Sequence, residues 1–128
     1  MTTGMSHRVL VCGSRDFYNA KMIREVLKTL PRDTVIIEGE ARGADTHARI
    51  EGECLGFQIE KYPAQWDKYG KRAGYLRNQQ MLDEGKPDEV IAFCSKATLE
   101  ESRGTAMMVR IARDAGIPTR VFFDRGNA

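Results

Sequence analysis

Three times in this chain an apolar run stops and a turn holding glycine and arginine opens a segment with helical spacing. The runs are Arg8–Cys12, Thr34–Ile37 and Glu89–Cys94. The turns are Gly13-Ser14-Arg15-Asp16, then Glu38-Gly39-Glu40-Ala41-Arg42-Gly43-Ala44-Asp45, then, after a longer loop, Ser102-Arg103-Gly104-Thr105. Short β-branched runs without polar alternation are strands buried on both faces, which happens when helices cover both sides of a parallel sheet. Strands alternating with helices therefore predict an α/β, Rossmann-like three-layer sandwich.

The remaining elements follow from periodicity and breakers. Residues 8–13 form the first strand. Ile23, Val26, Leu27 and Leu30 at helical spacing predict a helix over 19–30, ended by Pro31. A strand over 34–38 and a helix over 43–55, closed by Gly56, come next. Residues 58–62 alternate in polarity and read as a weaker strand nearer an edge. Residues 63–74 have no clean period and hold the only tryptophan. A helix over 73–84, a strand over 89–94, a helix over 104–115 and a last strand over 120–123 complete the pattern. Five parallel strands predict the order 3-2-1-4-5, with ligands at the crevice between strands one and four, off their carboxyl ends.

With 128 residues the chain suffices for one domain, expected over 8–123, with a loose leader over 1–7 and a frayed tail over 124–128. The start lacks the charged and apolar regions of a signal peptide, and no run is long enough for a membrane span. Cys12, Cys54 and Cys94 are odd in number and far apart, which fits a reducing cytoplasm, with Cys12 and Cys94 as small core residues. A net charge of +2, with bases and acids interleaved, argues against an extended nucleic-acid groove. His7 and His47 have no ligand spacing, so neither a metal nor a cofactor is expected.

The strand–turn–helix joints are the candidate site. Each brings free backbone N–H groups and the positive end of a helix dipole to one spot. Gly13, Gly39, Gly43 and Ala44 let a ligand or another backbone come close, and Arg15 and Arg42 offer planar donor forks to phosphate. Ser14 would give hydroxyl and N–H donors. Asp16 stands where it would either cap the following helix or meet the ligand, and capping is the preferred reading. Asp45 has three open roles: orienting Arg42, capping its helix, or accepting from a ribose hydroxyl. Ser102, Arg103, Gly104 and Thr105 place a phosphate at the start of the last helix. Trp66 and Tyr69 either form a lid that stacks on a base or pack their own loop.

Taken in order, Val-Cys-Gly-Ser-Arg-Asp-Phe at 11–17, Glu-Gly-x-Ala-Arg-Gly-Ala-Asp at 38–45, Tyr62-Pro63-Ala64 through Trp66, Tyr69 and Gly70, Arg77-Asn78, and Arg-Gly-Thr at 103–105 closely resemble the YspA-like branch of the SLOG superfamily. Related members are the Smf/DprA proteins and the lonely-guy phosphoribohydrolases. The resemblance implies a Rossmann-like sheet with a pocket for nucleotides or nucleotide-derived ligands. For the lonely-guy enzymes it implies N-glycosidic cleavage of a nucleoside monophosphate by an arginine and a glutamate. Arg77 matches that arginine, with Asn78 beside it, and Gly104 and Thr105 match the Gly-Thr of their Pro-Gly-Gly-x-Gly-Thr-x-x-Glu motif. Two positions depart from it. Glu101-Ser102 replaces the Gly-Gly pair, and Met108 stands at the glutamate position, leaving Glu100, Glu101, Asp16 and Asp45 as other sources of a carboxylate.

The expectation is a cytoplasmic protein that binds a nucleotide or nucleotide-derived phosphorylated ligand, as sensor, sequestering protein or enzyme. The alternatives are a phosphoribohydrolase-type enzyme using Arg77 and a single-stranded DNA binder. Self-association into a homo-oligomer is compatible with such a sheet.

Overall fold

A computed structural model describes residues 6–124; residues 1–5 of the expected leader and 125–128 of the expected tail lie outside the described residues. Five strands, β1 (Arg8–Gly13), β2 (Val35–Glu38), β3 (Gln58–Lys61), β4 (Glu89–Cys94) and β5 (Thr119–Phe123), form one all-parallel sheet in the order β3-β2-β1-β4-β5. The register sets Val11 beside Ile91 and Gly13 beside Phe93, so the turns after β1 and β4 leave the sheet side by side. This is the predicted order.

Alternation along the strands builds two cores. Val9 and Val11 of β1, with Ile36, Ile91 and Phe93, face α1 (Ala20–Leu27) and α2 (Ala44–Cys54) through Ile23, Leu27, Ala44 and Ala48. Leu10 and Cys12, with Ile37, Val90 and Ala92, face α4 (Ala73–Gly85) and α5 (Arg103–Asp114) through Met81, Met108 and Val109. Both faces of the central strands are covered, which is why their sequences are apolar without a break. No helix of the described residues is long and apolar enough to cross a membrane.

Several boundaries differ from the sequence expectation. The first helix stops at Leu27, well before Pro31, because the Thr29 hydroxyl and N–H both take the Val26 carbonyl (2.6 and 3.1 Å) and turn the chain. Asp16 does not cap that helix. Asn19 does, its Oδ1 accepting from Met22 N–H at 3.0 Å. The aperiodic stretch after β3 folds into a one-turn helix, α3 (Trp66–Tyr69), and a 3₁₀ turn over Gly70–Arg72, both too short to show a period. The loop after β4 holds a second 3₁₀ turn, Leu99–Glu101, closed by a capping box between Thr98 and Glu101.

Candidate functional site

A cleft of about 650 Å³ opens off the carboxyl ends of β1 and β4. The segments that build it come from four strand ends: the turn after β1, the β2–α2 loop, α3 and α4 following β3, and the loop that leads from β4 into α5. Arg15, Arg42, Lys71, Arg77, Lys96 and Arg103 line it against Asp16, Asp45 and Glu101. Basic side chains thus outnumber carboxylates two to one in the cleft, although the whole chain is nearly balanced.

The turn after β1 is held by its own backbone. Ser14 N–H donates to Phe93 C=O at 2.9 Å, so it is spent inside the fold and does not serve a ligand as the sequence suggested. The Ser14 hydroxyl accepts from Ser95 N–H at 3.0 Å and donates to the Ser102 hydroxyl at 3.3 Å, which donates on to Thr105 Oγ1 at 2.8 Å. This chain of hydroxyls ties the β1 turn to the first turn of α5. No side chain caps that helix, so the N–H groups of Arg103, Gly104 and Thr105, residues that line the cleft, carry the uncompensated positive end of a twelve-residue dipole.

Some residues picked from the sequence shape the site from behind. Gly43, at φ 74°, lies against the β1 turn: a Cβ there would come within 2.3 Å of Ser14 C=O. Next to it Ala44 N–H donates to the same Ser14 carbonyl at 3.1 Å, so Gly43 and Ala44 brace the first turn and do not line the cleft. Gly39 lies beneath Arg77 and is likewise not in the lining. Gly13, which does line it, has no room for a side chain against Phe93 C=O (2.2 Å) and Ala44 Cβ (2.6 Å).

Asp45 occupies the first turn of α2 and is buried, yet it lines the cleft. Its Oδ2 accepts from Gly39 N–H at 3.1 Å and Ala41 N–H at 3.3 Å, fixing the β2–α2 loop. It makes no bond to Arg42. Burial pushes its carboxyl up to about 6 against the opposing pull of Arg77 and the two amides. Arg77, half-buried on α4, donates through Nη1 to Gly39 C=O and through Nε to Asn78 Oδ1 at 3.0 Å. Asn78 in turn donates to Gly104 C=O at 3.3 Å, so one buried amide positions both Arg77 and the start of α5.

The outer wall is aromatic. Trp66 is 48% exposed and carries the Arg15 guanidinium 5.8 Å from its ring centroid. Tyr18 and Tyr75 join it in the lining, whereas Tyr69 is not in the lining and has the Lys68 ammonium 5.1 Å from its ring centroid. Of the two aromatics expected either as a lid or as packing for their own loop, Trp66 alone lines the cleft.

Sequence reasoning missed Lys96, which sits two residues beyond β4 and pairs with Asp16 at 2.7 Å; the Ser95 hydroxyl donates to the same carboxylate. That bridge across the cleft mouth, and the serine bond beside it, hold the Asp16 carboxyl below its usual range. It also missed Lys71, in the segment without a readable period, and Tyr75, in the first turn of the helix expected over 73–84. Glu101 was legible as the last residue of a Thr-x-x-Glu capping box, and it accepts from Thr98 N–H at 3.0 Å. Glu38, inside the quoted motif but not singled out, is fully buried at the end of β2, and burial beside Glu40 pushes its carboxyl up to about 9. Met108 is buried in the core between α5 and the sheet, outside the cleft lining, and burial pushes the Cys12 thiol on the cleft floor far above its usual range. Among the described residues no cluster of His, Cys, Asp and Glu is placed to hold a metal ion.

The sequence model of a family described as "YspA, cpYpsA-related SLOG family" matches residues 7–69. The chain is 35% identical over 127 residues to Gene 61 protein of Mycobacterium phage D29, covering 92% of this chain and 98% of that protein. The X-ray structure of DNA processing protein A (DprA) from Streptococcus pneumoniae superposes with a TM-score of 0.66 at 21% identity, over 95% of this chain. The chain spans 51% of the DprA chain, and the likeness is one of fold.

Proposed function

This chain belongs to the YspA, cpYpsA-related SLOG family, and from that premise we propose that its cleft binds a nucleotide or nucleotide-derived phosphorylated ligand. The observation that carries the reading is the shared lining: Arg15, Arg42, Arg77 and Thr105, from four separate segments, face one cavity. The uncapped first turn of α5 and the Thr105 hydroxyl, whose hydrogen is the one in the Ser14–Ser102–Thr105 chain not already given to a neighbour, suit a phosphate. Guanidinium groups add charge-assisted hydrogen bonds, and the half-exposed indole of Trp66 offers a face to a base. The volume falls within the range of small-ligand pockets. A thermal-shift screen with nucleoside mono-, di- and cyclic phosphates tests this. Saturable stabilisation that Arg15→Ala removes supports it, and a flat response across the panel contradicts it.

One observation favours a second reading, a phosphoribohydrolase-type enzyme that cleaves the N-glycosidic bond of a nucleoside monophosphate. Met108 can neither take a proton nor steady a cationic sugar, but Asp45 puts a carboxylate in the cleft near Arg77. The enzyme reading predicts release of free base from nucleoside monophosphates. Arg77→Ala should then abolish turnover more than binding, and a rate at background rejects it. DprA's description as a DNA processing protein makes single-stranded oligonucleotides a proper control in both assays.

A further inference from the structure

Asp45 is 5% exposed and lines the cleft, and its hydrogen bonds are one-sided. Oδ2 takes two backbone amides of the β2–α2 loop, those of Gly39 and Ala41, while Oδ1 has no protein donor among the described residues. Oδ1 is also not among the fully enclosed atoms left without a partner, which places it on the cleft side of the carboxylate. A carboxylate oxygen kept in a mostly buried wall with unfilled lone pairs is an acceptor waiting for a donor, since leaving it unmet costs free energy.

We propose that Asp45 Oδ1 accepts a hydrogen bond from a sugar hydroxyl of the bound nucleotide, so that the cleft selects ribose over deoxyribose. The inference rests on the nucleotide reading of the cleft. The chemistry of the wall narrows the donor. A phosphate has no hydrogen to offer and is repelled by the carboxylate. A cationic amine is disfavoured by Arg77, whose charge already acts on Asp45. A neutral donor remains.

Sheet order says which one. The neighbours β3, β2, β1 and β4 are followed in turn by Trp66, by Asp45, by Ser14 and Arg15, and by the uncapped start of α5. Along that edge the loops supply in turn a stacking face, an acceptor and an anion cradle, the parts that base, sugar and 5′-phosphate call for, with Arg15 reaching back to the Trp66 ring. At pH 7.5 Asp45 is ionised, because burial raises its carboxyl only to about 6.

The test is calorimetric titration at pH 7.5 with the four ribonucleoside 5′-monophosphates and their 2′-deoxy and 3′-deoxy counterparts, on the wild type and on Asp45→Asn. In the variant the Gly39 and Ala41 amides still require an acceptor, so the asparagine oxygen turns to the loop and its NH₂ faces the cleft. The acceptor thus becomes a donor with the loop intact. The expected result is a ten- to hundred-fold preference for ribose over at least one deoxy form in the wild type, the size of a hydrogen bond to a charged group. Asp45→Asn should lose that preference by weakening the ribonucleotide alone. Equal affinity for ribo and deoxy forms in the wild type would overturn the inference while leaving nucleotide binding standing. So would a preference that survives in a folded Asp45→Asn protein. If the variant does not fold, the wild-type comparison alone decides. No binding by any member would overturn the nucleotide reading, and this inference with it.

Discussion

The carbonyl oxygen of Gly39 accepts a hydrogen bond from Arg77 Nη1, and a Cβ at Gly39 would lie 2.6 Å from that nitrogen. A glycine at the end of one strand and an arginine on a distant helix are thus fitted to each other. Gly39 has no positive φ, and the atoms nearest to an alanine Cβ there all belong to the Arg77 side chain. Gly39→Ala should displace Arg77 and cost about 1–3 kcal/mol of stability. Nucleotide affinity should fall about tenfold or more, and a thermal melt with a ligand titration reads both. Unchanged affinity would show that this tether does not position Arg77 for the ligand.

Asn78 holds Arg77 on one side and Gly104 on the other. Asn78→Ala removes two part-buried hydrogen bonds, one of them from a guanidinium, at about 1–3 kcal/mol. Chemical denaturation should show that loss with an unchanged slope.

Asp16 occupies Lys96 at the cleft mouth. Removing the acid frees a cation and deletes a repelling charge, so Asp16→Ala should raise affinity for nucleoside monophosphates several-fold, and less so in high salt. A fall in affinity would instead make Asp16 a ligand contact.

Glu38 predicts a pH dependence. Its carboxyl stands at about 9 in the fold against 4.5 ordinarily, so the native protein keeps a proton that the unfolded chain gives up. Stability from this group is therefore complete below about 4.5 and drains as pH rises toward 9. Asp45, raised from 3.8 to about 6, has the same sign but is spent by pH 6, which leaves the window above 6 to Glu38. Glu38→Gln keeps an acceptor for Glu40 N–H and cannot ionise. Melting temperature should fall with pH between 6 and about 8.5 in the wild type, at no more than about 1.4 kcal/mol per pH unit, and stay level in the variant. Parallel curves would mean that Glu38 is already ionised in the fold.

Strand order was readable because β1, β2 and β4 are apolar without a break and each ends in a small, polar turn. The same turns located Ser14, Arg15, Arg42 and Thr105, which line one cleft. What escaped has physical causes. A four-residue helix such as Trp66–Tyr69 has no period to detect. Asp16 and Asn19 are both good caps: a tertiary contact with Lys96 holds the first, while the second, directly before Ala20, takes the helix's own Met22 N–H. Gly43 and Ala44 look like ligand-facing small residues, yet their smallness serves the Ser14 carbonyl packed against them.

The most direct measurement uses the single tryptophan in the sequence, Trp66, which stands at the cleft beneath Arg15. Nucleoside mono-, di- and cyclic phosphates titrated into the protein should change its fluorescence saturably, at concentrations that Arg15→Ala raises about tenfold or more. Emission that stays constant across the whole panel, or that changes identically in wild type and Arg15→Ala, would contradict a nucleotide seated in this cleft.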